Sequence, residues 1–409
     1  MTRTSNRPMK ALLLVPASMA LLLTAACGGG SSASSETSAE AVVTSAASAA
    51  APASEAATTP AFCGEDALAL QPQGIVGQGP NGEPAASPDD VALTDEEAAQ
   101  VKAGNFTVGL VFQFMNDWSK AQIQGLTDTF DKYGVKIIST TDAQFKVDRQ
   151  IADIENTIQQ KPSGIITIPV DDVATAPAYA KVSEAGIKLV FMDNAAKGLT
   201  YPDQYQSVIS ADSQGNGQIA AAKLSCYIPE GGTIGVIDFG ITFFVTNQRT
   251  KGVKDWFAAN RPDVTIKEAA FTDPDKAGDV AANFLTANPD VQGVFAVWDG
   301  PAQGVISALR AEGKNIPVTT IDLGDQAATD LAGAEYLKGL GAQRPYDQGV
   351  AEALALMNAL IGKTPPAWIG VPSLAVIQKN VLDAYQEVYK RAAPPETVAA
   401  CEAAAPACG

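Results

Sequence analysis

From residue 104 onward, short apolar runs alternate with longer stretches of helical spacing. Phe106 to Phe112 is the continuous apolar run that a strand buried on both faces requires. Asn116 to Tyr133 carries apolar residues at helical intervals and stops at Gly134. Val135 to Ser139 reads as the next strand. Lys146 to Gln160 reads as a helix with Ile151, Ile154 and Ile158 on one face, broken by Pro162 and Gly164. Gly164 to Ile168 is a strand pattern, Val173 to Ala185 a helix ending at Gly186, and Lys188 to Phe191 a strand again. The unit continues with strands near 207–210, 233–237, 264–270, 292–297, 317–321 and 338–342. Apolar strands joined by helices of this length predict parallel sheets of right-handed βαβ units. About ten strands exceed one comfortable open sheet, so the pattern predicts an α/β protein of two doubly wound, Rossmann-like lobes.

Ligands of such folds sit at the carboxyl ends of the strands. The residues found there are Phe114 to Trp118, Asp171 and Asp172, Asp193 and Asn194, Asp238, Trp298 and Asp299, Asp322, and Gln343 with Arg344. Each has an ordinary local use, since Asp caps helices and Trp packs. Their recurrence on one rim points to a hydroxylated ligand. Carboxylates and amides pair with hydroxyl groups, and flat aromatic faces pack on the C–H face of a sugar ring.

The N-terminal region has a different pattern. Arg3, Arg7 and Lys10 precede an apolar run from Ala11 to Leu23, then Thr24-Ala25-Ala26-Cys27-Gly28. The run is short for a membrane span, which takes about 20 residues. It reads as an export signal over 1–26. The segment resembles a bacterial lipobox, which implies acylation of Cys27 and anchoring to the outer face of the cytoplasmic membrane. Of the 33 residues in 28–60, 26 are Ala, Ser, Thr or Gly. Such a segment has too little apolar surface to offset ordering entropy, so 27–60 reads as a disordered tether of roughly 30 Å mean span. Residues 61–103 read as an irregular collar, with a short helix over Val91 to Lys102 capped by Asp89 or Thr94.

The chain has 409 residues, five Cys, no His and a formal charge of −17. Lack of His excludes Ser-His and Cys-His catalysis and His-ligated metal, and the charge opposes a nucleic-acid partner. With Cys27 set aside, Cys63, Cys226, Cys401 and Cys408 make an even number, and two disulfides are expected in an exported chain. Three pairings are open: Cys401 and Cys408 can close on each other, or one of them can staple the tail to Cys63. No metal site and no cofactor is expected. Gly215-Asn-Gly217-Gln-Ile-Ala220 fits a dinucleotide fingerprint on paper, but its glycines fall in a helix's first turns. Asp273-Pro-Asp275 begins like a calcium loop and lacks the closing Glu, so Asp273 reads as a cap.

Over about 104–390 the chain resembles the type I periplasmic solute-binding proteins of ribose and galactose type. The resemblance rests on the order of Val108-Gly-Leu-Val-Phe with Asn116-Asp-Trp118, Pro162 to Pro169, Phe191-Met-Asp193-Asn194, Ser210-Ala-Asp212, Arg249-Thr-Lys-Gly252 and Asn288 to Ala296. It implies a solute receptor, monomeric, serving the permease of an ABC importer. It implies a ligand ring of Asn116, Trp118, Asp193, Asn194, Arg249, Trp298, Asp322 and Gln343, with Phe114, Pro274 and Asp299 as further candidates. Asn194 stands where the family often has Arg, Pro274 where an aromatic commonly stacks, and Trp298 where Asn is usual. It also implies a three-segment hinge, near 210–212, 343–345 and 372–374. Lobe one is then 104–211 plus 344–372, lobe two 212–343 plus 373–392, and the tail 393–409. Alternatives from other classes are the same fold binding an amino acid, nucleoside or signalling molecule, a glycosidase using two of Asp193, Asp299 and Asp322, and a purely structural envelope lipoprotein.

Overall fold

The computed structural model describes residues 60–404 and Cys408. The signal segment, Cys27, nearly all of the tether and residues 405–407 and 409 of the tail lie outside the described residues. The first half of the fold holds α1 (Asp95–Ala103), β1 (Thr107–Phe112), α2 (Asp117–Tyr133), β2 (Lys136–Asp142), α3 (Val147–Gln159), β3 (Gly164–Thr167), α4 (Ala176–Glu184), β4 (Lys188–Met192) and β5 (Ser207–Ala211). Next come α5 (Ser213–Ser225), β6 (Thr233–Phe239), α6 (Phe244–Asn260), β7 (Thr265–Phe271), α7 (Ala277–Ala287), β8 (Gly293–Ala296), α8 (Asp299–Glu312), β9 (Val318–Ile321), α9 (Asp325–Gly333) and β10 (Leu337–Ala342). The chain ends with α10 (Pro345–Leu360), β11 (Trp368–Val371), β12 (Leu374–Val376), α11 (Val381–Tyr389) and α12 (Pro395–Ala403).

Two six-stranded sheets form, one in the order β11-β5-β4-β3-β1-β2 and the other β12-β10-β9-β8-β6-β7. The first sheet is parallel throughout, and the second is parallel except for β12, which runs antiparallel beside β10. Each sheet repeats one arrangement, with the second strand on the outer edge and the order reversing between the first and third strands. Those reversal points lie between β1 and β3 and between β6 and β8, where a crevice opens for ligand. The inner strands are buried along almost their whole length. The edge strands β2 and β7 alternate exposed and half-buried residues, and their charged and hydroxyl side chains discourage edge-to-edge pairing.

The short strands β11 and β12 were not legible in the apolar pattern. The expected Val91–Lys102 helix also divides: a 3-10 turn spans Pro88–Val91, and α1 starts at Asp95. Thr94 and Glu97 form a reciprocal capping box, which fixes that start.

The chain passes between the sheets after Ala211, after Ala342 and after Val371. The collar runs over these crossings. Cys63 is disulfide-bonded to Cys226 at the end of α5, and Cys401 to Cys408. Gln71 brackets the third crossing, donating to the Ser373 carbonyl and accepting from the Ala375 N–H. Asp212 at the first crossing accepts the Val76 and Gly77 N–H groups at 2.8 and 2.9 Å. Ala86 then pairs with β11, exchanging backbone bonds of 3.1 Å with Trp368 and Gly370. The Asn358 amide in α10 donates to the Val91 carbonyl at 2.8 Å.

Candidate ligand-binding site

The first wall begins where β1 runs out. Asn116 caps α2, its Oδ1 accepting the Ser119 N–H at 3.0 Å. That cap turns Asp117 and Trp118 toward the second sheet. Trp118 is 9% exposed, and its indole N–H donates to the Gln343 Oε1 at 3.3 Å. After β4 the chain turns at Asp193, which holds a left-handed φ of 53° and is 3% exposed. The Gln348 amide, on α10, donates to its Oδ1 at 3.0 Å.

The second wall comes from the strand ends of the other sheet. Arg249, in α6, is 4% exposed. Its Nη1 donates to the Val297 carbonyl at 3.1 Å and reaches the Asp322 Oδ2 at 3.4 Å. Asp322 follows β9 with φ 73° and accepts the Gln343 Nε2 at 2.8 Å. A continuous polar relay thus runs from Trp118 through Gln343 and Asp322 to Arg249. Trp298 stands edge-on to Phe239 and Phe271 at 5.4 and 5.2 Å between centroids.

These walls enclose a cleft of about 400 Å³. It brings together Asn116, Trp118, Asp193, Arg249, Trp298, Asp322 and Gln343, with Phe114, Pro274 and Asp299. One expected residue is displaced. Asn194 is 1% exposed and does not line the cleft; its Oδ1 accepts the Val245 N–H at 3.3 Å, tying the loop after β4 to α6. Its Nδ2 is buried without a partner among the described residues. Asp117 likewise bridges the walls by accepting the Asp325 N–H at 3.2 Å.

Several residues on or behind the walls were not anticipated. Phe145 stacks on Phe114 at 5.0 Å and 22°, and no local signal marks it, because it follows the edge strand β2. Gln348 and Glu352 lie behind Asp193, fully buried one turn apart on α10. Two buried polar residues at that spacing inside an apolar helix were the available signal. The Gln122 amide nitrogen, turned toward Glu352, sits 2.7 Å from its carboxylate.

The electrostatics are unbalanced. Burial pushes Asp193 up to about 7, opposed by the Arg249 charge and reinforced by Asp322. Burial and the Asp322 carboxylate push Asp299 upward as well. Burial, then the Asp193 charge, holds Glu352 well above the usual carboxylate range. Among the described residues no cluster of three or more His, Cys, Asp or Glu side chains is arranged to hold a metal ion.

Residues 108–364 match the family described as periplasmic binding protein domain. The ribose import binding protein RbsB of Bacillus subtilis (strain 168) is 27% identical over 275 residues, covering 67% of this chain and 88% of its own. A putative rhizopine-binding protein of Rhizobium meliloti is 25% identical over 249 residues, covering 59% of this chain and 80% of its own. Two solved structures share the fold. An Agrobacterium vitis ABC transporter solute-binding protein bound with alpha-D-tagatopyranose superposes with a TM-score of 0.65 at 23% identity, covering 69% of this chain and 99% of its own. One from Actinobacillus succinogenes 130z with bound D-allose gives 0.60 at 22% identity, covering 68% and 99%. With the match spanning well over half its length, the chain belongs to the periplasmic binding protein domain family.

Proposed function

We propose that this protein is an extracytoplasmic receptor that captures a small hydroxylated solute, a monosaccharide or related polyol, and delivers it to an ABC importer. The observation that carries the reading is the relay Trp118–Gln343–Asp322–Arg249, which draws on both walls of one cleft. A solute seated there meets carboxylate and amide acceptors, guanidinium donors and aromatic faces together. Such a set suits vicinal hydroxyls on an otherwise apolar ring. Closing the two lobes around the solute completes the contacts, and opening releases it. Acylated Cys27 and the 27–60 tether hold the receptor at the outer face of the cytoplasmic membrane, within reach of the permease. The receptor acts as a monomer and returns its solute chemically unchanged.

A thermal-shift screen of the purified protein tests this. The panel holds pentoses, hexoses, deoxy sugars, polyols, cyclitols, nucleosides and amino acids. A ligand at 100 times its dissociation constant stabilises the folded state by about 2.7 kcal/mol. A shift with a sugar or polyol is expected. Shifts confined to amino acids or nucleosides overturn the ligand class. No shift at all overturns the receptor reading.

A further inference from the structure

The charges lining the cleft do not match a neutral solute. Five aspartates line it, Asp117, Asp193, Asp275, Asp299 and Asp322, against the single cation Arg249. Asp117 and Asp275 belong to the rim, and Asp117 has Lys120 at 3.5 Å as a partial counter-charge. The inner three do not. Asp322 pairs with Arg249 at 3.4 Å, Asp193 feels the Arg249 charge without an ion-pair contact, and Asp299 takes only backbone N–H groups, from Gly300 and Gly324 at 2.8 and 3.0 Å. Two inner carboxylates therefore exceed the available cation. Closing the lobes over a neutral sugar removes water from that excess without supplying a counter-charge, so the carboxylates must either stay charged and uncompensated or take up protons, whereas a cationic ligand pairs with them directly.

The aromatic lining points the same way. The stacked Phe114–Phe145 pair, Trp118, Phe239, Phe243 and Trp298 all face the cleft. Aromatic faces beside carboxylates form the environment that attracts an organic cation. A metal cation fits less well, because the carboxylates do not converge into a ligating cluster. Arg249 adds a separate requirement. Its Nε is buried without a partner among the described residues, so the ligand also offers an oxygen acceptor on that side.

We propose that the solute is an amine-bearing polyol, namely an amino sugar, amino-deoxy alditol or aminocyclitol. Its ammonium sits against the Asp299–Asp322 side and its hydroxyl or ring oxygens against Arg249. The inference rests on the reading of this cleft as a solute site and narrows the substrate class.

The test is direct binding by calorimetry with matched sets on the full chain at pH 7.5. D-glucosamine, D-galactosamine, an amino-deoxy pentose, an amino-deoxy hexitol and an amino-deoxy inositol are each compared with the neutral parent and with the N-acetyl form. The expected result is at least tenfold tighter binding of one amine than of its parent, with the N-acetyl form no better than the parent. Asp299→Asn, which keeps an acceptor for the Gly324 N–H, should narrow that amine-to-parent ratio about tenfold. Neutral parents binding as tightly as their amines overturn the inference and leave the sugar reading standing. An unchanged ratio in Asp299→Asn overturns the placement of the ammonium. No binding by any member of the sets overturns the inference, and the receptor reading is then decided by the thermal-shift panel.

Discussion

Asp193 and Asp322 occupy corresponding places on the two walls, each just past a strand and each with φ in the left-handed region, 53° and 73°. Non-glycine residues enter that region at a cost, and such positions cluster at ligand sites. The bend lets each carboxylate turn back across the rim. The two are neighbours in charge around Arg249, and Gln348 and Gln343 hold their free geometry. Asp193 is therefore a carboxylate held out of water on the cleft wall, the position the proposed ligand ring requires. Replacing it by Ala should cost about 2–4 kcal/mol of ligand affinity, because ligand hydroxyls lose an acceptor and Arg249 loses a neighbouring negative charge in a closed site. Titration calorimetry with a ligand identified in the screen would read this as a thirty- to thousandfold weaker Kd. Unchanged affinity would remove Asp193 from the ligand ring.

The helices that carry these side chains approach closely through glycine. A Cβ on Gly217 in α5 would overlap the Arg249 carbonyl in α6, and one on Gly252 would overlap the Gln214 carbonyl. In the other lobe, Gly125 on α2 and Gly349 on α10 make the equivalent approach against Tyr346 and Gln122. Of the glycines in the 215–220 stretch, Gly217 thus serves helix packing, and Gly215 sits against the Asp212 carboxylate that caps α5. Gly217→Ala should push α6 outward, costing about 1–3 kcal/mol of stability and displacing Arg249. Urea unfolding and ligand affinity should then fall together. Elements of this kind are legible where periodicity is local: the strand ends place Asp193, Trp298, Asp322 and Gln343 on one rim from sequence alone. Phe145, Gln348 and Glu352 are not, because topology rather than sequence spacing brings them to the cleft. The collar was illegible for a related reason, since Gln71, Val76 and Ala86 bind through backbone groups and one amide across long sequence separations. Its disulfide closes 163 residues of chain, and a loop of that length confines the unfolded ensemble by a few kcal/mol. Replacing Cys63 and Cys226 together by Ser should lower the Tm by several degrees. Binding of the same ligand should persist in the variant below its Tm, because neither cysteine lines the cleft.

At the scale of the whole molecule, the buried carboxylates make stability depend on pH in a definite direction. Asp193 titrates at about 7 when folded, against a usual value near 4. Between those values the folded protein holds a proton that the unfolded chain has released. Its contribution is fully present below about pH 4 and is lost as pH rises through 7, at about 1.4 kcal/mol per pH unit. Glu352, raised by burial and by Asp193, and Asp299, raised by burial and by Asp322, act in the same sense. The groups facing them are Arg249, Asp322 and Asp117, with the neutral amides of Gln122 and Gln348. The empty protein should therefore lose Tm from pH 5 to 7.5, and Asp193→Asn should flatten part of that slope and raise the Tm at pH 7.5. A bound ammonium favours the ionised carboxylates, so the ligand's stabilising effect should grow over the same interval. Calorimetric scans across this range, with and without the amine, would show the two curves diverging as pH rises. Parallel curves would mean that the ligand leaves these carboxylates without the counter-charge that the cleft lacks.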